Sequence, residues 1–82
     1  MTPATQHFSH YVVQTLFDTK WRSFDRYDDE NPAQEISRRL IGEWGAARVR
    51  ILGGYFSPEK DRNVYHRVDI REAPRLRETR LF

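Results

Sequence analysis

With 82 residues and no cysteine, the chain is long enough for one domain with a small core, and it has no disulfide, thiolate metal site or cysteine nucleophile to draw on. Hydrophobic residues make up 38%, charged residues 32% and aromatics 13%, which is too apolar and too aromatic for a disordered chain. A net charge of +2, from 14 basic against 12 acidic residues, is too even to require a polyanionic partner, although Arg48, Arg50, Arg62, Arg67, Arg71, Arg75, Arg77 and Arg80 make the second half the more basic.

Residues 1–6 are small and polar with Pro3 and are expected to fray. They show neither a basic n-region nor an apolar h-region, and no apolar run approaches the roughly 20 residues of a membrane span, so a cytoplasmic protein is expected. From Phe8 to Phe17 the sequence FSHYVVQTLF is rich in β-branched and aromatic residues and reads as a strand. Tyr11, Val13, Thr15 and Phe17 share one of its faces, and His10, Val12, Gln14 and Leu16 the other. Asp18, Thr19 and Lys20 make a short loop without a glycine to supply the preferred positive φ. WRSFDRY, from Trp21 to Tyr27, returns as a second strand with Trp21, Ser23, Asp25 and Tyr27 opposite Arg22, Phe24 and Arg26.

The stretch from Asp28 to Gly45 is a helix with both ends marked. Asn31 is placed as N-cap, Pro32 at the first helical position and Gln34 three residues on, as in a capping box. Asp28, Asp29 and Glu30 put negative charge where the helix dipole is positive. Ala33, Ile36, Leu40 and Trp44, with Ile41 beside them, form one apolar stripe for a core. Gln34, Glu35, Arg38, Arg39 and Glu43 take the other side, with Glu35–Arg39 and Arg39–Glu43 spaced as ion pairs. Gly45 is the stop signal.

ARVRILGGYF then predicts a third strand, with Val49 and Ile51 on one face and Arg48, Arg50 and Leu52 on the other. Gly53 and Gly54 imply a bulge or a close approach by another backbone. SPEKDRN is a loop and VYHRVDI, Val64 to Ile70, a fourth strand. The tail, residues 71–82, is compatible with a short helix at Pro74, an added edge strand or an unpaired arm. Two hairpins joined by one helix give a single α+β domain, residues 1–82: a two-layer ββ-α-ββ arrangement with a four-stranded, mainly antiparallel sheet and the helix packed on one face.

Motifs for chemistry are weak. His7 and His10 form H-x-x-H, but residues three apart on a strand point to opposite faces, and no spacing nominates a third ligand. The acids Asp28 to Glu30 lack the alternation of a calcium loop. G-x-S-x-G, a Walker loop and G-x-G-x-x-G are missing, Gly53-Gly54 does not open onto a helix as a phosphate cradle does, and His66 and Asp69 do not share a strand face. A non-enzymatic protein without metal, cofactor or small-molecule substrate is expected.

Eleven aromatic residues, more than one helix–sheet interface requires, imply an apolar patch on the uncovered sheet face. The leading expectation is therefore a protein-interaction module that self-associates as a homodimer through that face or a sheet edge. The alternative is an RNA or single-stranded DNA binder using Arg48, Arg50, Arg67, Arg75, Arg77 and Arg80, with Arg22 and Arg26 beside Phe24, Leu52 and Tyr65. The same alternation also describes a solvated face whose arginines pair with Asp25, Asp69 and neighbouring acids.

Overall fold

The computed structural model describes residues 8–72. Strands β1 (His10–Phe17) and β2 (Lys20–Tyr27) form a hairpin, helix α1 (Glu30–Trp44) follows, a 3-10 turn (Ala46–Arg48) leads into β3 (Val49–Ser57), and β4 (Arg62–Val68) returns. The strands form a 4-stranded sheet in the order β2-β1-β3-β4, and every neighbouring pair is antiparallel. With α1 laid across the two central strands, this is the expected two-layer α+β arrangement. His7 and residues 73–82, including Arg75, Arg77 and Arg80, lie outside the described residues, as do the first six.

The helix covers the face that presents Tyr11, Val13 and Thr15 on β1 and Val49, Ile51 and Gly53 on β3. Val13, Val49 and Ile51 close with Ala33 and Leu40 into the buried core, and Tyr11, Tyr27, Ile36, Ile41, Val68 and Ile70 pack around it. Full burial of a Val, Leu or Ile is worth about 1.5–3 kcal/mol. With so few such residues, each carries a large share of the stability. No aromatic side chain among the described residues is fully buried. Rings complete the same face at its ends: Phe8 sits over Gly53 and packs against Tyr11, Tyr55 and His66, while Phe17 meets Trp44, the last residue of α1, edge-on at 6.3 Å between centroids.

The helix begins earlier than its sequence signals suggest. Its N-cap is Asp29, in extended conformation and without a side-chain cap bond, so Glu30 and not Pro32 takes the first helical position. Gly45 stops it as expected, at φ 96 with its N–H on the Ile41 carbonyl. The buried side is Ala33, Gln34, Ser37 and Leu40, with Ile36 and Ile41 flanking and Trp44 partly exposed. Gln34, expected outside, is only 1% exposed because its amide makes a backbone-like pairing: Nε2 donates to the Asp69 carbonyl at 2.8 Å and Oε1 accepts the Arg71 N–H at 2.8 Å. Glu30 and Arg38 complete the clamp, through Arg71 Nη1 on Glu30 at 2.6 Å and Arg38 Nη1 on the Arg71 carbonyl at 3.1 Å. The helix pairs Glu35–Arg39 and Arg39–Glu43 do not form; among the described residues the ion pair is Arg71–Glu30.

The first hairpin turns through two residues, Asp18 at φ 55 and Thr19 at φ 70, which is the left-handed pattern of a type I′ turn made without glycine. In β2 the register with β1 slips: Val13 faces Asp25 and Gln14 faces Ser23, which leaves Phe24 as an unpaired bulge residue. Side chains directly opposite across a strand pair share a face. The bulge therefore breaks the simple alternation expected of WRSFDRY. Trp21, Ser23 and Arg26 lie with Leu16, Gln14 and Val12, whereas Lys20, Arg22, Asp25 and Tyr27 lie on the helix side. Gly53 and Gly54, in contrast, form no bulge, because β3 runs through them in unbroken register with both neighbours. β4 starts at Arg62 and ends at Val68, two residues earlier at each end than the apolar pattern suggests.

Candidate functional site

The uncovered face of the sheet can be mapped row by row from the pairing. One row is Arg26, Val12, Leu52 and Arg67; the next is Ser23, Gln14 and Arg50; Trp21 and Leu16 lie beyond; and on the other side come His10, Gly54 and Tyr65, then Phe56 and Asn63. None of these strand residues is a carboxylate, but Asp69, just past the end of β4, borders the same hollow as Arg50 and Arg67. Arg26 and Arg67 stand at the two edge strands of one row, three strand spacings or about 14 Å apart at the backbone. Arg50 lies one row over, between them.

Each of these arginines comes from the strand period, but only one is held by its neighbours. The guanidinium of Arg50 lies 4.2 Å from the centroid of the Trp21 ring, and its Nε donates to Gln14 Oε1 at 2.7 Å. An arginine stacked on tryptophan and pinned at Nε keeps its Nη groups free to donate outward, with little rotamer entropy left to lose. No ion pair among the described residues involves Arg26, Arg50 or Arg67. Among the described residues no ion pair joins the face arginines to Asp25 or Asp69, and Asp25 sits on the helix side of β2.

Tyr65 lies flat across Gly54 toward His10. A Cβ on Gly54 would fall 2.5 Å from Tyr65 Cε1 and 2.6 Å from His10 Nε2, so this position has room only for hydrogen. Tyr65 Oη and His10 Nε2 are 3.0 Å apart, and Ser9 Oγ and His10 Nδ1 are also 3.0 Å apart. The proton positions follow from the far end of the chain of bonds. Ser9 Oγ donates its single proton to the Gly54 carbonyl at 3.2 Å, so it accepts from His10 Nδ1–H, and His10 Nε2 accepts from the Tyr65 hydroxyl. This polarity is the reverse of a catalytic pair, in which imidazole takes the serine proton. Burial of His10, which is 4% exposed, together with the charge of Arg26, holds its pKa below the ordinary 6.5 against an opposing pull from Asp28, so the neutral ring assumed here is the form present at pH 7. The result is a tyrosine ring fixed at its hydroxyl, with the residue 44% exposed.

Of the residues singled out from the sequence, Arg50, Arg67 and Arg26 come together on the open face with Leu52 and Tyr65. Arg22 crosses to the helix side because of the bulge and lies over the Phe17 ring at 5.3 Å. Arg48 stands in the 3-10 turn before the sheet. His66 is on the face opposite His10, stacked on Tyr55 with centroids 5.9 Å apart, and is not brought to Asp69. Among the described residues no three His, Asp or Glu side chains converge as metal ligands would. The Ser9–His10–Tyr65 chain and the Gln14–Arg50–Trp21 stack were not visible in the sequence, since their members come from different strands. No helix among the described residues is long and apolar enough to cross a membrane. Comparison with protein-family models, with curated proteins and with solved structures finds no match.

Proposed function

We propose that this chain is a non-enzymatic binding protein that holds a single strand of nucleic acid across the open sheet face. The observation that carries this reading is the presence of Arg26, Arg50 and Arg67 on one face, none in an ion pair among the described residues, with no carboxylate in the strand rows and Asp69 only past the end of β4. Guanidinium groups without ion-pair partners fit phosphates, and Tyr65 and Phe56 on one side of them and the Arg50–Trp21 stack on the other supply flat groups, the combination that single strands use. A lipid surface would meet the same charge but has no use for fixed rings beside the arginines. A cytoplasmic setting fits the absence of cysteine.

The test is a fluorescence anisotropy titration of short single-stranded oligonucleotides over a range of salt concentrations. Three phosphate contacts predict a slope of log affinity against log salt of about −2, and Arg26→Ala or Arg67→Ala should each reduce that slope by about 0.7. Absence of binding, a flat salt dependence, or equal binding to anionic vesicles would defeat the proposal.

Self-association is a second reading, and the geometry favours an edge over the face. Two copies stacked face to face would set unpaired arginines against arginines across a desolvated interface, which costs affinity. Among the described residues no strand pairs with the outer edge of β4, whose register with β3 is unbroken from Ile51–Val68 to Ser57–Arg62, whereas the β2 edge is kinked at Phe24. Antiparallel pairing of β4 with a second copy would keep both open faces on one side of the joined sheet. Sedimentation velocity that shows only monomer at tens of micromolar would remove this reading.

A further inference from the structure

The rings and the guanidinium groups of the open face are sorted along the strands and not across them. Two residues along a strand advance about 6.6 Å on one face. Phe56, paired with Asn63, comes first; Tyr65, paired with Gly54, is one such step on; Arg67, paired with Leu52, is one step beyond that and on the same strand as Tyr65. A line parallel to β3 and β4 therefore meets ring, ring and guanidinium in succession within about 13 Å. A line across the strands meets one kind only. The row of Arg67 offers Leu52, Val12 and Arg26 but no ring, and the rows of Tyr65 and Phe56 offer no guanidinium. Both rings are accessible, Phe56 at 54% and Tyr65 at 44% exposed, and Gly54, which neighbours both on this face, has no side chain to cover them. Tyr65 is also held in direction by its bond to His10 at 3.0 Å. Arg50 lies off this line, since its guanidinium leans back over Trp21 of β2, and Arg26 stands on the far edge strand.

Resting on the nucleic-acid reading above, we infer that the bound strand lies lengthwise, parallel to β3 and β4, with successive bases stacked on Phe56 and Tyr65 and the adjoining phosphate on Arg67. Every base has a π-face, so seats of this kind take any sequence; what they require is bases free to leave a stack or a pair, which a single strand supplies. Three rows hold about three or four nucleotides, the small end of the range for single-strand-binding folds. Arg50 and Arg26 then meet phosphates further along, which only a longer strand provides.

Oligothymidylates of about four and about ten nucleotides, with a sugar–phosphate oligomer of about four units that lacks bases, separate this path from a crossing one. The short oligothymidylate should bind more tightly than its abasic counterpart, with the same salt slope. Phe56→Leu, which keeps apolar bulk at an exposed position, should weaken the short oligothymidylate about tenfold and leave the abasic oligomer unchanged. Tyr65→Leu should do the same, Arg67→Ala should weaken both, and Arg26→Ala should weaken only the longer strand. If instead Arg26→Ala weakened the short strand as much as Arg67→Ala, and Phe56→Leu had no effect, the lengthwise path would be overturned and the phosphate-binding proposal would stand. Failure of every oligomer to bind overturns the two together. Because Tyr65→Leu also loses the bond to His10, Phe56→Leu decides the matter should Tyr65→Leu not fold.

Discussion

Gly54→Ala isolates what holds the Tyr65 ring in place. An added methyl would stand 2.5 Å from Tyr65 Cε1 and 2.6 and 2.8 Å from His10 Nε2 and Cε1, distances that require movement. Neither ring can yield alone, because they are joined at 3.0 Å and His10 is further tied to Ser9. Swinging Tyr65 away breaks one hydrogen bond, and moving the nearly buried imidazole breaks a second and leaves a ring nitrogen without a partner. Two bonds at about 1 kcal/mol each, with about 1–2 kcal/mol for the orphaned nitrogen, sum to roughly 3–4 kcal/mol. Replacing a strand glycine returns about 0.5–1 kcal/mol of backbone entropy. The net expectation is a loss of about 2–3 kcal/mol, read from urea unfolding as a lower midpoint at unchanged m-value. Gly42→Ala is the matched control. A Cβ there meets nothing within 4 Å, and the position is inside α1, so the same substitution should stabilise by up to about 1 kcal/mol. If both variants were stabilised alike, the Tyr65–His10 lock would contribute nothing and the reasoning would be wrong.

Other substitutions and conditions follow from the same physics. Thr19 is β-branched at φ 70, so Thr19→Gly should raise stability by about 0.5–1 kcal/mol, checked by the thermal midpoint. Ser37 is fully buried and its hydroxyl has no partner, so Ser37→Ala should leave stability unchanged or raise it by about 1 kcal/mol, whereas Ile51→Ala should cost about 2–4 kcal/mol in the same assay. The pKa of His10 is lowered on folding, chiefly by burial and then by Arg26, so the unfolded chain takes up the proton first; stability should fall as pH drops below 6.5, and His10→Gln should flatten that slope. At Glu30 burial pushes the pKa up, but hydrogen bonds from Arg71 and Gln34 and the charge of Arg71 outweigh it. Its stabilising contribution is present above the ordinary 4.5 and lost as pH falls through the lower folded value, and Glu30→Gln should remove that acid-limb dependence in pH-resolved melting.

What could be read from the sequence was local. The period of two in RVRIL separated Val49 and Ile51 from Arg50 and Leu52, that in HYVVQTL separated Val13 from Val12 and Gln14, and Gly45 marked a true stop. What could not be read depended on partners far along the chain. WRSFDRY alternates without a break, and only its pairing with β1 inserts the bulge that parts Arg22 from Arg26. Gln34 looks like a solvated helix residue until Asp69 and Arg71, 35 and 37 positions later, lay their backbone against it. The Gly53-Gly54 pair did signal close approach, but by the rings of Phe8, Tyr65 and His10 and not by another backbone. For the same reason Arg50, Arg67 and Arg26 were legible as candidates, but which of them share a face with one another, and the His10–Tyr65 lock, 55 residues apart in sequence, required the fold.

The aromatic surplus first suggested an apolar patch that a second copy would cover. Several rings meet polar or cationic groups, Trp21 under Arg50, Phe17 under Arg22, Tyr65 on His10 and Tyr55 on His66, while Phe8 packs among Tyr11 and Tyr55, Phe17 also meets Trp44, and Phe24 and Phe56 are exposed. On the open face the Trp21–Arg50 and Tyr65–His10 pairs make rigid flat supports, from which a ligand with its own rings and negative charge would gain. This separates the two modes of association experimentally. If two copies meet along β4, the open face stays free, and a saturating oligonucleotide should leave the dimer intact in sedimentation and add its own mass. If they meet face to face, strand and second copy compete for Arg26, Arg50 and Arg67, and the oligonucleotide should drive the dimer to monomer. Intact dimers with bound strand are the expected result; dissociation on binding would move the self-association surface from the edge to the face.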